Sequence, residues 1–239
     1  MDKKALIIGG MSGIGREFAK LAAKDWKNLM LIDEREDDLL AIRKELGQVS
    51  SSDPSEFDVY VSEEKLSFPD SAENIYTDIL LYNQFNGKSG EIDLLINVLE
   101  FHDTSGNVDM WEESAVASPF NIATLMEINQ YFFRDMIKTG EGEILNVIAK
   151  PETMSVELEE MYSETQALLL EFSHELNKSS ASDKIGIHTL CTSENSFVLQ
   201  AQLIPEHVAH DLTPPTCSAE AIAGYGYQVI NQNRARGQA

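Results

Sequence analysis

The sequence predicts a doubly wound α/β fold, with a parallel sheet between two helical layers in αβα order. Short apolar runs at 5–8, 29–32 and 92–97 alternate with longer segments whose apolar residues recur at helical spacing. Strands that read as nearly unbroken apolar runs are those buried on both faces of a parallel sheet. The first run leads directly into glycines at 9, 13 and 15, and a helical pattern begins there. The chain has 239 residues, 43% of them hydrophobic, which is enough for one domain over 1–239 with a full core.

The elements follow in order. Residues 5–8 form the first strand, and Phe18, Leu21 and Ala22 mark one face of the first helix. Residues 29–32 form a second strand ending at Asp33. Residues 36–47 carry Leu39, Leu40, Ile42 and Leu46 on or near one helical face. Residues 57–61 alternate as a strand does, and 65–68 form a competing candidate. The third core strand is placed at 66–68, with 50–62 read as an insertion. A helix over 71–81 and a polar loop over 83–90 lead to the buried strand at 92–97. A long helix spans 120–137, a strand 143–149, a helix 159–177 and a strand 185–191. A loop with Pro205, Pro214 and Pro215 precedes a last helix at 219–231. The two long helices are apolar over arcs too wide for one core contact, which predicts a subunit interface.

Composition narrows the function. Formal net charge is −22, and such a surface repels phosphate backbones and anionic lipid, which argues against nucleic-acid and membrane partners. The acids are spread along the chain, as suits solubility at high salt; a face for a basic partner is the alternative. No apolar run reaches membrane-spanning length, and the N-terminus enters a strand directly, so the expectation is a cytoplasmic protein. Two cysteines, Cys191 and Cys217, make no disulfide framework, and Cys191 reads as a buried thiol. His188 reads as a satisfied sheet residue. The run from Glu206 to Asp211 has metal-like spacing but no third ligand cluster, so no metal site is predicted.

A strand, a glycine turn and a helix N-terminus in succession make a phosphate-binding site. Glycine lets the backbone approach a pyrophosphate, and the helix dipole favours its charge. Asp33, at the end of the second strand, is placed to accept hydrogen bonds from a ribose and to repel a 2′-phosphate. The Gly-x-x-x-Gly-x-Gly spacing of Gly9, Gly13 and Gly15 resembles the short-chain dehydrogenase/reductase family, and the order of elements resembles it from residue 4 to about 230. The resemblance implies a Rossmann-type fold. It also implies a dinucleotide held by Gly9, Met11, Ser12, Gly13, Ile14, Gly15, Asp33, Asn97, Tyr162 and Gln166. Asp33 points to NAD rather than NADP, with Arg16 and Arg35 as the residues that speak the other way.

The resemblance further places the family's general acid/base at Tyr162 and its catalytic asparagine at Asn121. Tyr162 has a retained core residue as its other reading, and Asn121 a structural one. The family lysine falls on Gln166 and the family serine on Ala149. The Asn-Asn-Ala-Gly turn becomes Asn97-Val98-Leu99-Glu100, the Pro-Gly after the sixth strand becomes Thr192-Ser193, and the C-terminal Asp-Gly-Gly strand is absent. A methyl group cannot donate a hydrogen bond to substrate, and losing one such donor costs roughly 2.7–4 kcal/mol of transition-state stabilisation. Neutral Gln166 supplies no charge to depress the tyrosine pKa. Glu157, Glu159 and Glu160 are expected to keep Tyr162 protonated, which favours carbonyl reduction over alcohol oxidation. Lys150, Thr153 and Ser155 are the candidates for compensating charge or hydroxyl.

These observations lead to an NAD-linked reductase of a small carbonyl (or the corresponding alcohol) with an incomplete catalytic set. Its substrate loop lies at 192–217, where Phe197, Val198, Leu199 and Leu203 make it partly apolar. The expected assembly is a homodimer through the helices at 120–137 and 159–177, with a tetramer as the further possibility. Two alternatives stand beside this. One is a non-catalytic NAD(H) sensor or partner subunit. The other is an isomerase or dehydratase using Tyr162 as acid.

Overall fold

A computed structural model describes residues 3–10, 13–33, 36–50, 58–64, 66, 70–88, 90–100, 119–150, 155–180, 184–193, 196–200 and 218–236. Seven strands form one sheet: β1 (Lys4–Ile8), β2 (Asn28–Asp33), β3 (Asp58–Glu63), β4 (Leu94–Glu100), β5 (Gly142–Ala149), β6 (Ile185–Ser193) and β7 (Ser196–Gln200). Their spatial order is β3-β2-β1-β4-β5-β6-β7. The first six are parallel, and β7 turns back antiparallel on β6. Helices α1 (Gly13–Asp25), α2 (Glu36–Val49), α3 (Ser71–Phe85), α4 (Pro119–Thr139), α5 (Val156–Ser179) and α6 (Ala219–Arg236) cover the two faces. This is the Rossmann-type three-layer arrangement that the alternating pattern predicts.

Alternate residues of each central strand enter opposite cores. Ala5 and Ile7 of β1 pack with Phe18 and Ala22 of α1, with Trp26 just after it and with Ile222 and Ile230 of α6. Leu6 and Ile8 pack on the other face with Ile75 and Ile79 of α3 and Ile128, Phe132 and Met136 of α4. The period-two alternation of strand side chains therefore explains why both classes of position are apolar. A polar pin holds α6 to α1: Trp26 Nε1 donates to the Tyr227 hydroxyl at 3.0 Å, which donates to Asp25 at 2.9 Å. Gly226 lets α6 come close, since a Cβ there would stand 2.8 Å from the Phe18 ring.

Four sequence expectations are corrected. The third strand is Asp58–Glu63, paired in register with β2 from Asn28 to Asp33, so the segment 50–62 read as an insertion contains most of a core strand. Its partial burial, with only Val59 fully inside, is that of an edge strand. β4 continues through Val98 and Leu99 to Glu100, pairing with β5 up to Ala149, where a turn after Asn97 was expected. A seventh strand, β7, lies in the stretch read as the start of the substrate loop. Finally, the outward arc of α5 is not apolar, contrary to the wide apolar arc expected of it. Leu168 is exposed, and Glu157, Glu159, Glu160, Glu164, Glu171 and Glu175 lie outward beside it.

Cys191 is buried and free. His188 is buried, with Nε2 3.0 Å from Glu143 Oε2, but its Nδ1 has no hydrogen-bond partner, so it is only half satisfied.

Candidate functional site

The site lies where the C-terminal ends of β1, β2, β4 and β5 meet the N-terminus of α1, the usual crevice of a doubly wound sheet. Gly9 makes the turn out of β1. Its φ is +77°, and a Cβ there would meet the Val98 carbonyl oxygen of β4 at 2.5 Å, so only glycine is accommodated. The Gly9 amide donates to Ile32 O of β2 at 2.9 Å. The turn is thereby held between β2 and β4, and α1 starts at Gly13 with Ile14 and Gly15 buried. Asp33 closes β2 and is nine-tenths buried.

One side chain enters this cradle from β4. Ile14 N–H, in the first turn of α1, donates to Glu100 Oε1 at 3.1 Å. The first four amides of a helix lack intrahelical partners, and a pyrophosphate at a glycine turn binds to amides of this kind. The turn and Asp33 fit a dinucleotide, whereas the Glu100 carboxylate stands where its pyrophosphate would bind.

The described residues at the expected catalytic positions are also engaged internally. Ser155 caps α5, its Oγ accepting from Leu158 N–H at 3.2 Å. The buried face of that helix runs through Leu158, Tyr162, Thr165, Leu169 and Ser173. Tyr162 is 5% exposed, and its hydroxyl donates to the main-chain oxygen of Thr192 on β6. Burial raises its pKa, with the Cys191 thiol adding to this, and outweighs the hydrogen bond to Thr192. Burial, not the nearby glutamates, therefore keeps Tyr162 protonated. The side-chain amide of Gln166 stands against the Cys191 thiol, which burial nevertheless pushes up to about 12.

Ala149 packs among Val147, Leu145 and Tyr225 on the α1/α6 face, whereas Tyr162 packs with Ile148, Leu99 and Cys191 on the other. The serine and tyrosine positions thus lie in different core clusters. Lys150 Nζ pairs with Glu159 Oε1 at 3.1 Å, and Arg16 pairs with Glu45. The side chain of Asn121, all of Met11, Ser12, Arg35 and Thr153, and residues 201–217 fall outside the described residues.

Asn97 belongs to a network that the sequence reading missed. Its Nδ2 donates to Asn146 Oδ1 at 2.9 Å and to Asn129 Oδ1 at 3.3 Å. Asn129 Nδ2 donates to Asn146 Oδ1 at 3.1 Å and to Leu125 O at 2.7 Å. Asn146 Nδ2 reaches Ser173 Oγ, which meets Thr189 Oγ1 at 2.8 Å. Five elements are joined by buried polar groups, and the Asn97 side chain points into this network rather than to the glycine turn. A lone asparagine inside each of two apolar strands was the available signal.

The family model described as short chain dehydrogenase matches residues 3–201. The chain belongs to the short-chain dehydrogenase family. That family implies NAD(P) binding. A 7beta-hydroxysteroid dehydrogenase of Mediterraneibacter gnavus is 24% identical over 165 residues, which are 69% of this chain and 58% of the relative. A very-long-chain 3-oxoacyl-CoA reductase of Mus musculus is 25% identical over 198 residues, covering 78% of this chain and 57% of the relative. The chain therefore spans under two thirds of the length of these curated relatives.

Solved structures share the fold. A short-chain type dehydrogenase/reductase from Mycobacterium ulcerans has a TM-score of 0.65 at 14% identity, covering 100% of this chain and 86% of that one. The bulky-bulky ketone specific alcohol dehydrogenase from Comamonas testosteroni has a TM-score of 0.66 at 16% identity, covering 97% and 84%. No helix among the described residues is long and apolar enough to cross a membrane.

Proposed function

We propose that this short-chain dehydrogenase family member binds a nicotinamide dinucleotide without ordinary hydride-transfer turnover, serving as a nucleotide-responsive or partner protein. The observation that carries the reading is the Tyr162 hydroxyl, whose proton is given to Thr192 O inside the core. A general acid must reach the substrate oxygen with that proton. Ala149 and Gln166 add no donor and no charge at the serine and lysine positions. Asp33 supports NAD over NADP, because a carboxylate there accepts from a ribose diol and repels a 2′-phosphate.

A second reading, reduction of a small carbonyl with Tyr162 as acid, is supported by its protonated state. It requires the bond to Thr192 to open. The outward face of α5 carries Leu168 between glutamates, so a homodimer through α4 and α5, which we retain as the assembly, is favoured by high salt, where like charges are screened.

The test is calorimetric titration with NADH and NADPH, followed by a panel of ketones and 3-oxoacyl thioesters at saturating cofactor. Binding that favours NADH, with no substrate-dependent NADH consumption, is the expected result. Consumption at ordinary enzymatic rates refutes the first reading and establishes the second.

A further inference from the structure

We infer that Glu100 is a built-in occupant of the dinucleotide cradle, a carboxylate that any incoming pyrophosphate must displace. The inference rests on the dinucleotide-binding reading above and adds a control that the family pattern does not contain.

The geometry leads there in three steps. β4 pairs with β1 so that Ile8 lies opposite Asn97. Three further residues at about 3.3 Å each carry β4 roughly 10 Å beyond the end of β1, over the glycine turn. The close approach of Gly9 to Val98 O fixes the turn against that same stretch. At its end Glu100 turns its carboxylate onto the Ile14 amide at 3.1 Å.

The second step is electrostatic. α1 has no acidic residue in its first turn, although the N-terminus of a helix is the favoured place for negative charge. Glu100 supplies that charge from a neighbouring strand, and so takes the part a pyrophosphate plays when bound. The third step is competition. One amide cannot serve two anions at full strength, and two anions at one helix end repel each other. Cofactor binding therefore requires the Glu100 side chain to swing away, and intrinsic affinity is spent on displacing it.

The experiment compares the wild-type chain with Glu100→Ala, Glu100→Gln and Glu171→Gln. Glu171 is exposed on α5 and controls for the loss of one negative charge anywhere. Each protein is titrated calorimetrically with NADH, with NADPH and with inorganic pyrophosphate. Glu100→Gln keeps an oxygen acceptor for Ile14 N–H and guards against a folding defect in the alanine variant. The expected result is that Glu100→Ala binds both NADH and pyrophosphate roughly tenfold more tightly than wild type, with Glu100→Gln between them and Glu171→Gln unchanged.

Equal affinities in wild type and both Glu100 variants overturn the inference, as does a gain matched by Glu171→Gln. Pyrophosphate binding strengthened in the Glu100 variants, with no binding of either dinucleotide by any protein, upholds the inference and refutes the dinucleotide reading. No binding of any probe to any of the four proteins overturns both.

Discussion

Replacing Tyr162 with Phe separates a structural hydroxyl from a catalytic one. The side chain is 5% exposed, and its hydroxyl donates to the Thr192 carbonyl. The ring contacts with Leu99, Ile148, Leu169 and Cys191 survive the change, so no cavity larger than an oxygen atom forms. What is lost is a buried bond and the satisfaction of a main-chain acceptor, together worth about 1–2 kcal/mol. For a chain of this size that lowers Tm by roughly 3–6 °C, read by differential scanning calorimetry at neutral pH. NADH consumption, assayed in parallel on the ketone panel, is expected to be as absent in the variant as in wild type. A variant as stable as wild type that loses NADH consumption which wild type possesses would show that the hydroxyl serves substrate, and would refute this reasoning.

Two further perturbations test the surrounding structure. Asn146→Ala removes the acceptor shared by Asn97 and Asn129. Each donor keeps one other bond, but the bond from Asn146 Nδ2 to Ser173 is lost as well, so a loss of about 2–4 kcal/mol in urea unfolding is expected from three hydrogen bonds and a small cavity; a loss under about 0.5 kcal/mol, the level of an ordinary surface change, refutes the network. Asp58 at the β3 edge is half-buried, which opposes its ionisation, but the Lys88 ammonium at 2.7 Å and the Tyr82 hydroxyl at 2.6 Å outweigh this and hold its pKa below the usual 3.8. A lowered folded pKa contributes stability above the unfolded value that disappears as pH falls through the folded one. Asp58→Asn is therefore expected to be less stable than wild type at neutral pH, with the gap closing below about pH 4 in thermal melts across pH; a gap independent of pH contradicts the ion pair.

Legibility in the sequence followed the physics of each element. The β1–turn–α1 unit and the central strands were readable because both-faces burial leaves unbroken apolar runs. β3 was misplaced because an edge strand buries little: Asp58, Tyr60 and Ser62 alternate too weakly to outcompete Leu66 and Phe68. β7 has only the short run Phe197-Val198-Leu199 as a local signature, and its pairing with β6 is not written in one segment. At the site, the letters at 149, 166 and 100 announced what was missing. They did not announce where the replacements would turn, because Tyr162 is satisfied by a backbone oxygen, which has no letter. The Asn97–Asn129–Asn146–Ser173–Thr189 network spans five elements and becomes a unit only when the sheet brings them together.

The substitutions at this site act together rather than singly. A cleft that binds cofactor and substrate gains most from polar groups that are not already paired within the chain. Here several of these groups find partners within the chain, although Asn97 Oδ1 has none. Ile14 N–H has Glu100, the Tyr162 hydroxyl has Thr192 O, Gln166 has Cys191, and the position of a hydroxyl donor is a methyl in an apolar cluster. Each internal contact lowers the free energy of the unliganded state, and a ligand gains only the difference between its own contacts and those it replaces. Restoring a single family residue therefore changes little while the other contacts persist. Serine at 149 still faces the α1/α6 core cluster, and lysine at 166 still meets a buried thiol. The first change that matters is at Glu100, because it alone among these contacts occupies the place of the ligand itself.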